Sequence, residues 1–221
     1  MARLAAIGED LFELDAIFVT HEHDDHIRGL PALGRSLKTK PVFLTLETAP
    51  AIDWAGPPPP VETFQAGARI DFGDLRIQSF TIPHDSIDPV GYSITVEGIK
   101  LSFVTDLGYV PENVRFHLAA SHLLLLESNH DIEMLKVGPY PWAVKQRVLG
   151  RKGHLSNDVA GQYIGADLPA EVETLILGHL SETNNHPAIV EMTARQALDQ
   201  RGRAPRLVVA EPRQQSEVFL F

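Results

Sequence analysis

The segment Thr20-His21-Glu22-His23-Asp24-Asp25-His26 constrains the fold of this chain more than any other feature. It directly follows an apolar run at residues 16–20, which predicts a buried strand that ends in a loop. The side chains of His21 and His23, two residues apart, project to the same side of extended backbone. Asp25 and His26 follow where the chain turns into the next helix. The sequence therefore predicts three imidazoles and a carboxylate in one small volume at a strand end.

Nitrogen and oxygen donors without sulfur are typical ligands of Zn²⁺, Mn²⁺ or Fe²⁺. The segment is not the helical His-Glu-x-x-His motif, because position 25 is Asp and the predicted setting is a strand and a loop. The alternative is a solvated acidic loop that contains histidine. A metal is the better explanation, because it relieves the repulsion among three crowded carboxylates.

Composition removes several classes of function. The chain has 221 residues and no cysteine, which excludes disulfides, thiolate metal sites and cysteine nucleophiles. A formal charge of −10 excludes a broadly basic surface that coats nucleic acid. The apolar runs are far shorter than the roughly 18 residues of a membrane span, and no signal-peptide pattern opens the chain. We therefore expect a cytoplasmic protein without a membrane partner.

The order of strands and helices indicates a layered α/β protein. Residues 61–106 are predicted to be almost all strand, with tight turns at Gly73-Asp74 and Glu97-Gly98. A helix is predicted at residues 27–37. In the second half, helical patterns alternate with apolar strands; the helices are at 111–121, 139–150, 157–165 and 187–201, and the strands at 123–126, 174–177 and 206–210. Helices on both sides of paired strands predict αββα packing rather than an all-β barrel.

The pattern H-x-H-x-D-H at His21, His23, Asp25 and His26 resembles the first metal motif of the metallo-β-lactamase fold superfamily. Further segments resemble its YycJ-like (WalJ) phosphodiesterase branch, a group regarded as DNA exonucleases. In chain order, they are His84-Asp85 with Pro89-Val90-Gly91-Tyr92, Asp106-Leu107-Gly108, Glu127-Ser128-Asn129-His130-Asp131, Gly153-His154-Leu155-Ser156-Asn157, and His179-Leu180-Ser181 before Asn184-Asn185. The resemblance runs from about residue 10 to the C-terminus.

The resemblance implies one domain over residues 1–221, folded as a four-layer αββα sandwich. Residues 1–13 look like a helix that follows the first strands of the family, so we expect those N-terminal strands to be lacking. The resemblance also implies two divalent metal ions, with Zn²⁺ as the first choice and Mn²⁺ or Fe²⁺ as alternatives. One ion would be held by His21, His23 and His84, and the other by Asp25, His26 and His179, with Asp106 bridging the two.

A pair of ions about 3.5–4 Å apart lowers the pKa of a shared water toward ~7, which gives a hydroxide nucleophile at neutral pH. The predicted catalytic residues are then Asp25, Asp106 and His154. His154 is expected to donate a proton to the leaving oxygen or to hold the phosphate.

The expected substrate contacts centre on a basic run at residues 145–152, which directly precedes Gly153-His154. Its four cations, in a chain of charge −10, favour local binding of a phosphate backbone over a merely solvated helix face. Trp142, just upstream, could stack on a base, but a core position is the more common role. The predicted substrate-binding residues are Asn129, His130, Lys145, Arg147, Arg151, Lys152 and Asn157.

The sequence leaves three functions open. The first is a phosphodiesterase or exonuclease that acts on DNA. The second is a hydrolase of small esters, thioesters, lactones or cyclic nucleotides at the same site. The third is a truncated, non-catalytic protein that binds metal or nucleic acid. The basic run favours the first hypothesis, and the oligomeric state stays open.

Overall fold

The structure is a computed structural model that describes residues 2–220. Ten strands form two sheets: β1 Ile17–Phe18, β2 Val42–Thr45, β3 Val61–Phe64, β4 Arg69–Phe72, β5 Leu75–Thr81, β6 Val90–Val96, β7 Ile99–Val104, β8 Leu123–Glu127, β9 Thr174–Gly178 and β10 Arg206–Val209. The α-helices are α1 Ala2–Ala6, α2 Asp24–Ile27, α3 Leu30–Ser36, α4 Glu112–Leu118, α5 Ile132–Val137, α6 Trp142–Leu149, α7 Asn157–Asp167 and α8 Pro187–Arg201.

The two sheets differ in how their strands pair. The smaller sheet has the order β1-β2-β3, and its strands are parallel. The larger sheet has the order β10-β9-β8-β7-β6-β5-β4. Strands β4 to β7 form an antiparallel meander, and β7 to β10 are parallel. Its tight turns at Gly73 and Gly98 use positive φ angles of 59° and 86°, which glycine adopts without strain.

An apolar contact between the sheets fixes their relative position. Phe18 of β1 packs against Tyr92 of β6 with ring centroids 5.8 Å apart. The buried residues Ile77 and Val90 complete this cluster. The Tyr92 hydroxyl donates a hydrogen bond of 2.6 Å to the Val19 carbonyl, so the end of β1 is tied directly to the larger sheet.

Helices cover the outer faces of both sheets. Leu30 of α3 packs on the smaller sheet, in a cluster with Val42 and Leu44. Helices α4, α7 and α8 cover the larger sheet, and their buried apolar residues pack with those of β7, β8 and β9. The layers are therefore helix, sheet, sheet and helix, which confirms the predicted αββα class. No helix among residues 2–220 is both long enough and apolar enough to cross a membrane.

Several element boundaries differ from the sequence predictions. The predicted helix at 27–37 is two helices, α2 and α3, and α5 was not predicted at all. Of the helix expected over residues 1–13, the structure has α1 and a short 3₁₀ turn at Leu11–Glu13, while Met1 lies outside the described residues. Helix α6 has no buried residue, so Trp142 is 67% exposed rather than in the core.

The loop after β7 packs closely against the segment that carries His154. A Cβ atom added to Gly108 would lie 2.4 Å from the Gly150 carbonyl oxygen, closer than any real contact. We expect Gly108→Ala to lower the free energy of unfolding by about 1–3 kcal/mol, because backbone must move to admit the methyl group. Urea denaturation of the purified variant measures this.

The control is Gly165→Ala, inside α7, where the new Cβ would meet Ala197 at an ordinary 3.9 Å. Alanine is the better helix former, so we expect this variant to be as stable as the wild type or more stable. Equal unfolding midpoints for Gly108→Ala and the wild type would contradict the close packing.

Candidate metal centre

Strand ends gather the candidate ligands at one edge of the fold. Because β7, β8 and β9 are parallel neighbours, Asp106, Glu127 and His179 lie together at or just beyond their carboxyl ends. The amide of Val90 in β6 donates a 3.0 Å hydrogen bond to the Thr20 carbonyl, which brings the histidine-rich loop to the same edge.

The first group of donors is His21, His23 and His84. Their potential metal-ligating nitrogens all lie within 4.8 Å of one another. His84 Nε2 is 3.1 Å from His23 Nδ1, and the His21 side chain is fully buried.

The second group is Asp25, His26 and His179. Asp25 Oδ2 is 3.5 Å from His179 Nε2 and 3.6 Å from His26 Nε2. This group opens toward solvent, because the Asp25 side chain is exposed whereas both histidines are half-buried.

Asp106 lies between the two groups. Its Oδ2 is 3.4 Å from His26 Nε2, and its Oδ1 is 3.8 Å from His84 Nε2. The carboxylate is almost wholly buried. The structure therefore brings the seven predicted ligands together in the two expected sets, with Asp106 at their boundary.

Most of these imidazole rings are oriented by hydrogen bonds at their Nδ1 atoms. The Thr20 hydroxyl oxygen lies 3.1 Å from Nδ1 of both His21 and His26. His84 Nδ1 lies 3.2 Å from the Gly153 carbonyl oxygen, to which it can donate. A hydrogen bond at Nδ1 leaves Nε2 as the acceptor atom, which is the arrangement typical of metal-ligating histidines. Thr20 was not singled out from the sequence as a site residue.

Glu127 was also missed, although it is the most constrained side chain at this edge. It is fully buried, and its Oε1 accepts hydrogen bonds from His179 Nδ1 at 2.7 Å and His154 Nδ1 at 2.9 Å. Its Oε2 accepts from the amides of Leu107 and Leu155. With four donors on two oxygens, Glu127 orients histidines rather than ligating an ion. The sequence feature that could have identified Glu127 is its position as a carboxylate at the end of an otherwise apolar strand, β8.

Burial and hydrogen bonding push the histidine pKa values in opposite directions. Burial lowers the pKa of His21 to about 2, so this ring is neutral at neutral pH. Burial also opposes protonation of His179, but hydrogen bonds to Asp25 and Glu127 raise its pKa well above the ordinary value. His154 behaves similarly, because its bond to Glu127 outweighs burial and raises its pKa.

Buried polar atoms that lack a hydrogen-bond partner indicate whether the donors at this edge of the fold suit a metal ion. His21 Nε2 and Asp106 Oδ2 are buried without a hydrogen-bond partner among residues 2–220, which is costly unless another group satisfies them. Asp106 and His179 also have left-handed φ angles of 62° and 58°, a strain that clusters at functional sites. Mixed imidazole and carboxylate donors with free acceptor atoms fit divalent metal ions.

Two cavities adjoin this cluster, and both are lined by Asp25 and His154. The Arg147 cavity, of about 360 Å³, is also lined by His23, Asp24, Asp106 and Arg147. The Tyr140 cavity, of about 270 Å³, is also lined by Asn129, His130, Tyr140 and His179. Of the predicted substrate contacts, Arg147, Asn129 and His130 are therefore next to the predicted ligands.

The remaining predicted substrate contacts lie elsewhere. Lys145 Nζ donates to the Lys136 carbonyl, Arg151 lies 4.0 Å above the Tyr109 ring, and Lys152 is exposed. The basic run does not form one continuous face toward the cluster, because successive residues of α6 point in different directions.

Asn157 is also outside both cavities. It is buried, and its amide is hydrogen-bonded to Ser128 and Asn185. The structure does not bring it into the site as we expected, because its polar atoms are already used in this buried network.

Residues 2–180 match the family described as "Beta-lactamase superfamily domain". The chain belongs to the metallo-β-lactamase superfamily. It is therefore an enzyme of a superfamily of metal-dependent hydrolases, and the fold implies divalent metal ions, for which the donor cluster described above is the candidate site.

Two proteins of similar sequence and one solved structure of similar fold are compared with this chain. Exodeoxyribonuclease YycJ of Bacillus anthracis is 34% identical over 193 residues, which are 86% of this chain and 73% of that protein. Exodeoxyribonuclease WalJ of Streptococcus pneumoniae serotype 2 (strain D39) is 34% identical over 195 residues, 86% of this chain and 72% of that protein. The crystal structure of Zn²⁺-bound PqqB from Methylobacterium extorquens shares the fold with a TM-score of 0.65 at 18% identity, covering 88% of this chain and 70% of that one.

We expect the binding of metal ions to this donor cluster to release protons. The raised pKa of His179 favours a ring protonated at both nitrogens, and an ion that binds Nε2 must displace the proton there. We expect the affinity for Zn²⁺ to weaken as the pH falls. Isothermal titration of the metal-free protein with Zn²⁺, in buffers of different ionisation enthalpy, counts the released protons.

Glu127→Gln provides the comparison, because it keeps the shape of the side chain and removes the charge that raises the His179 pKa. We expect this variant to release fewer protons at pH 7 than the wild type. Equal proton release by both proteins would show that Glu127 does not control the protonation of His179.

Proposed function

We propose that this protein is an exonuclease that hydrolyses phosphodiester bonds of DNA with two divalent metal ions, Zn²⁺ in the first instance. The observation that carries the proposal is the pairing of two three-residue donor groups around Asp106 with a cavity that contains Arg147. The 34% identical proteins named exodeoxyribonucleases support the same substrate. We place the reaction in a single domain of a cytoplasmic protein.

In this proposal, His21, His23 and His84 hold one ion, Asp25, His26 and His179 hold the other, and Asp106 contacts both. Two divalent ions bound there supply a water of lowered pKa and positive charge against the transition state. The buried position of Asp106 keeps its carboxylate in place between the groups, because it has almost no freedom to rotate toward solvent. Asp25, at the exposed side, completes the ligand set where substrate enters.

His154 is the proposed acid for the leaving oxygen. Glu127 accepts a hydrogen bond of 2.9 Å from its Nδ1 and raises its pKa, which favours the ring protonated at both nitrogens. The ring lines both cavities beside the ligands, where the leaving oxygen of a bound diester would lie. Its Nε2–H bond breaks as the proton passes to that oxygen. Glu127 is a positioning residue in this step, because it touches His154 and not the substrate.

Arg147 is the proposed phosphate contact. Its guanidinium forms a two-point ion pair with Asp85, in which Nη2 lies 3.1 Å from Oδ1. The pair fixes the guanidinium at the wall of the Arg147 cavity, and a planar guanidinium suits the non-bridging oxygens of a phosphodiester. No other lysine or arginine of residues 2–220 lines that cavity, so Arg147 favours an anionic substrate over a neutral ester. Asn129 and His130 are proposed to contact the substrate on the other side.

Asp106→Asn tests the metal-dependent step. The substitution keeps the volume and removes the charge that both ions share, so we expect at least a 100-fold lower turnover of a labelled DNA oligonucleotide. Elemental analysis should show less than the wild-type metal content. Asp71→Asn, an exposed carboxylate on β4 paired with Arg69, is the matched control and should keep both properties. Activity within a few-fold of wild type would reject the role of Asp106.

Arg147→Gln tests the choice of substrate. Removing one phosphate contact should weaken binding to DNA and reduce the slope of log affinity against log salt by about one. The matched control is Arg195→Gln, whose exposed arginine also pairs with a carboxylate, Glu191, but on α8. Fluorescence anisotropy at several salt concentrations gives both slopes. Identical curves for the two variants, or faster hydrolysis of p-nitrophenyl acetate than of any phosphodiester, would contradict the nuclease proposal.

A further inference from the structure

The Tyr140 cavity shares Asp25 and His154 with the Arg147 cavity but is not lined by Arg147. A diester held at the predicted ligands therefore has space for a substituent in each cavity. The function proposed above uses one cavity for phosphate recognition. The chemistry and shape of the other cavity point to a separate role.

Tyr140 lines this cavity, and the backbone on both sides of it is restricted. It lies between Pro139 and Pro141 in the connection of α5 to α6, and the two prolines restrict the backbone torsions there. The connection is also packed tightly, because a Cβ on Gly138 would lie 2.2 Å from Asn184 Oδ1 and 2.8 Å from the Met134 carbonyl oxygen. The half-buried aromatic ring is therefore positioned before any ligand arrives.

The cavity lacks the cations that a polynucleotide backbone needs. No lysine or arginine of residues 2–220 lines it, and its lining includes the carboxylates of Asp25 and Glu182. The other phosphates of a bound DNA strand are therefore better placed toward the Arg147 cavity than in the Tyr140 cavity. Away from His154 and His179 at the ligand cluster, the lining has uncharged side chains such as Asn129 and Ser181, which suit the sugar and base of a nucleoside.

The size of the cavity limits its occupant. Its volume of about 270 Å³ lies just below the ~300–1,000 Å³ of typical small-molecule sites, which suits one nucleoside and not a continuing strand. The nucleoside at the end of a strand therefore fits the cavity.

We propose that the Tyr140 cavity binds the terminal nucleoside of the DNA strand and that the Tyr140 ring stacks on its base. This inference rests on the proposed nuclease function and deepens it, because a subsite for one nucleoside restricts cleavage to the end of a chain. Stacking of a base on an aromatic ring is sequence-tolerant, so the subsite accepts all four bases.

The test compares oligonucleotides whose terminal residue carries a base with ones whose terminal residue is abasic, at the 5′ end and the 3′ end in separate substrates. For the end that is cleaved, we expect wild-type kcat/KM to be about 10-fold or more higher with the base present. Tyr140→Ala should lose this preference, so that its kcat/KM values for base-bearing and abasic ends become similar. Tyr140→Phe should retain the preference, because the ring is kept.

The matched control is Trp142→Ala. Trp142 is an exposed aromatic residue two positions away that does not line the cavity, so this variant should keep the full preference. Equal metal content and unfolding midpoints establish that Tyr140→Ala is folded. If that variant does not fold, the wild-type comparison of base-bearing and abasic ends still decides the question.

The outcomes separate the two proposals. A wild-type enzyme that cleaves both kinds of end equally well would overturn the nucleoside subsite and leave the nuclease function in place. A loss of preference in Trp142→Ala equal to that in Tyr140→Ala would also overturn it, since stacking would then lie outside the cavity. A wild-type enzyme that cleaves no DNA would overturn both proposals.

Discussion

The buried carboxylate of Glu127 is the interaction on which the geometry of the site depends. It ends β8 and accepts hydrogen bonds from the loop after β7, the segment at His154 and Leu155, and His179 after β9. These segments are far apart in the chain, and each would otherwise leave an amide or imidazole donor unpaired in the interior. Removing the carboxylate would therefore release several loops at once, and with them His179 and His154.

The rigid sheet beneath explains how strained residues persist at this edge. The side chains of β9 are buried along its whole length, and β8 is nearly as well enclosed. Packing of these parallel strands against α4, α7 and α8 fixes the strand ends to within narrow limits. Asp106 and His179 can then keep their left-handed backbone, because the surrounding core compensates for the unfavourable torsion angles. The same rigidity keeps Asp106 against His26 and His84 although no protein donor pairs with its Oδ2 among residues 2–220.

The strands could be predicted because they follow local patterns, whereas the grouping of the candidate ligands was predicted from the resemblance to the metallo-β-lactamase superfamily. Strands β6 and β7 flank the predicted turn at Glu97-Gly98, and apolar and polar residues alternate along both. The role of Glu127 could not be predicted in the same way, because its partners come from three distant segments. The orientation of the basic run at residues 145–152 could not be predicted for another reason. Helix α6 buries no residue, so its sequence contains no apolar stripe that would show which cation faces the site.

Only Arg147 of that run lines the cavity beside the ligands, and its place depends on Asp85. Asp85 directly follows His84, and its Oδ1 lies 3.6 Å from His84 Nε2. The proposed phosphate contact is therefore linked through one carboxylate to the first donor group. Tyr140 of the other cavity lies in a connection whose Gly138 packs against Asn184. The proposed phosphate contact and the proposed base contact therefore each depend on packing within the protein. A separation set by the protein in this way would let a nuclease process many sequences, since the sugar–phosphate spacing does not change with the base.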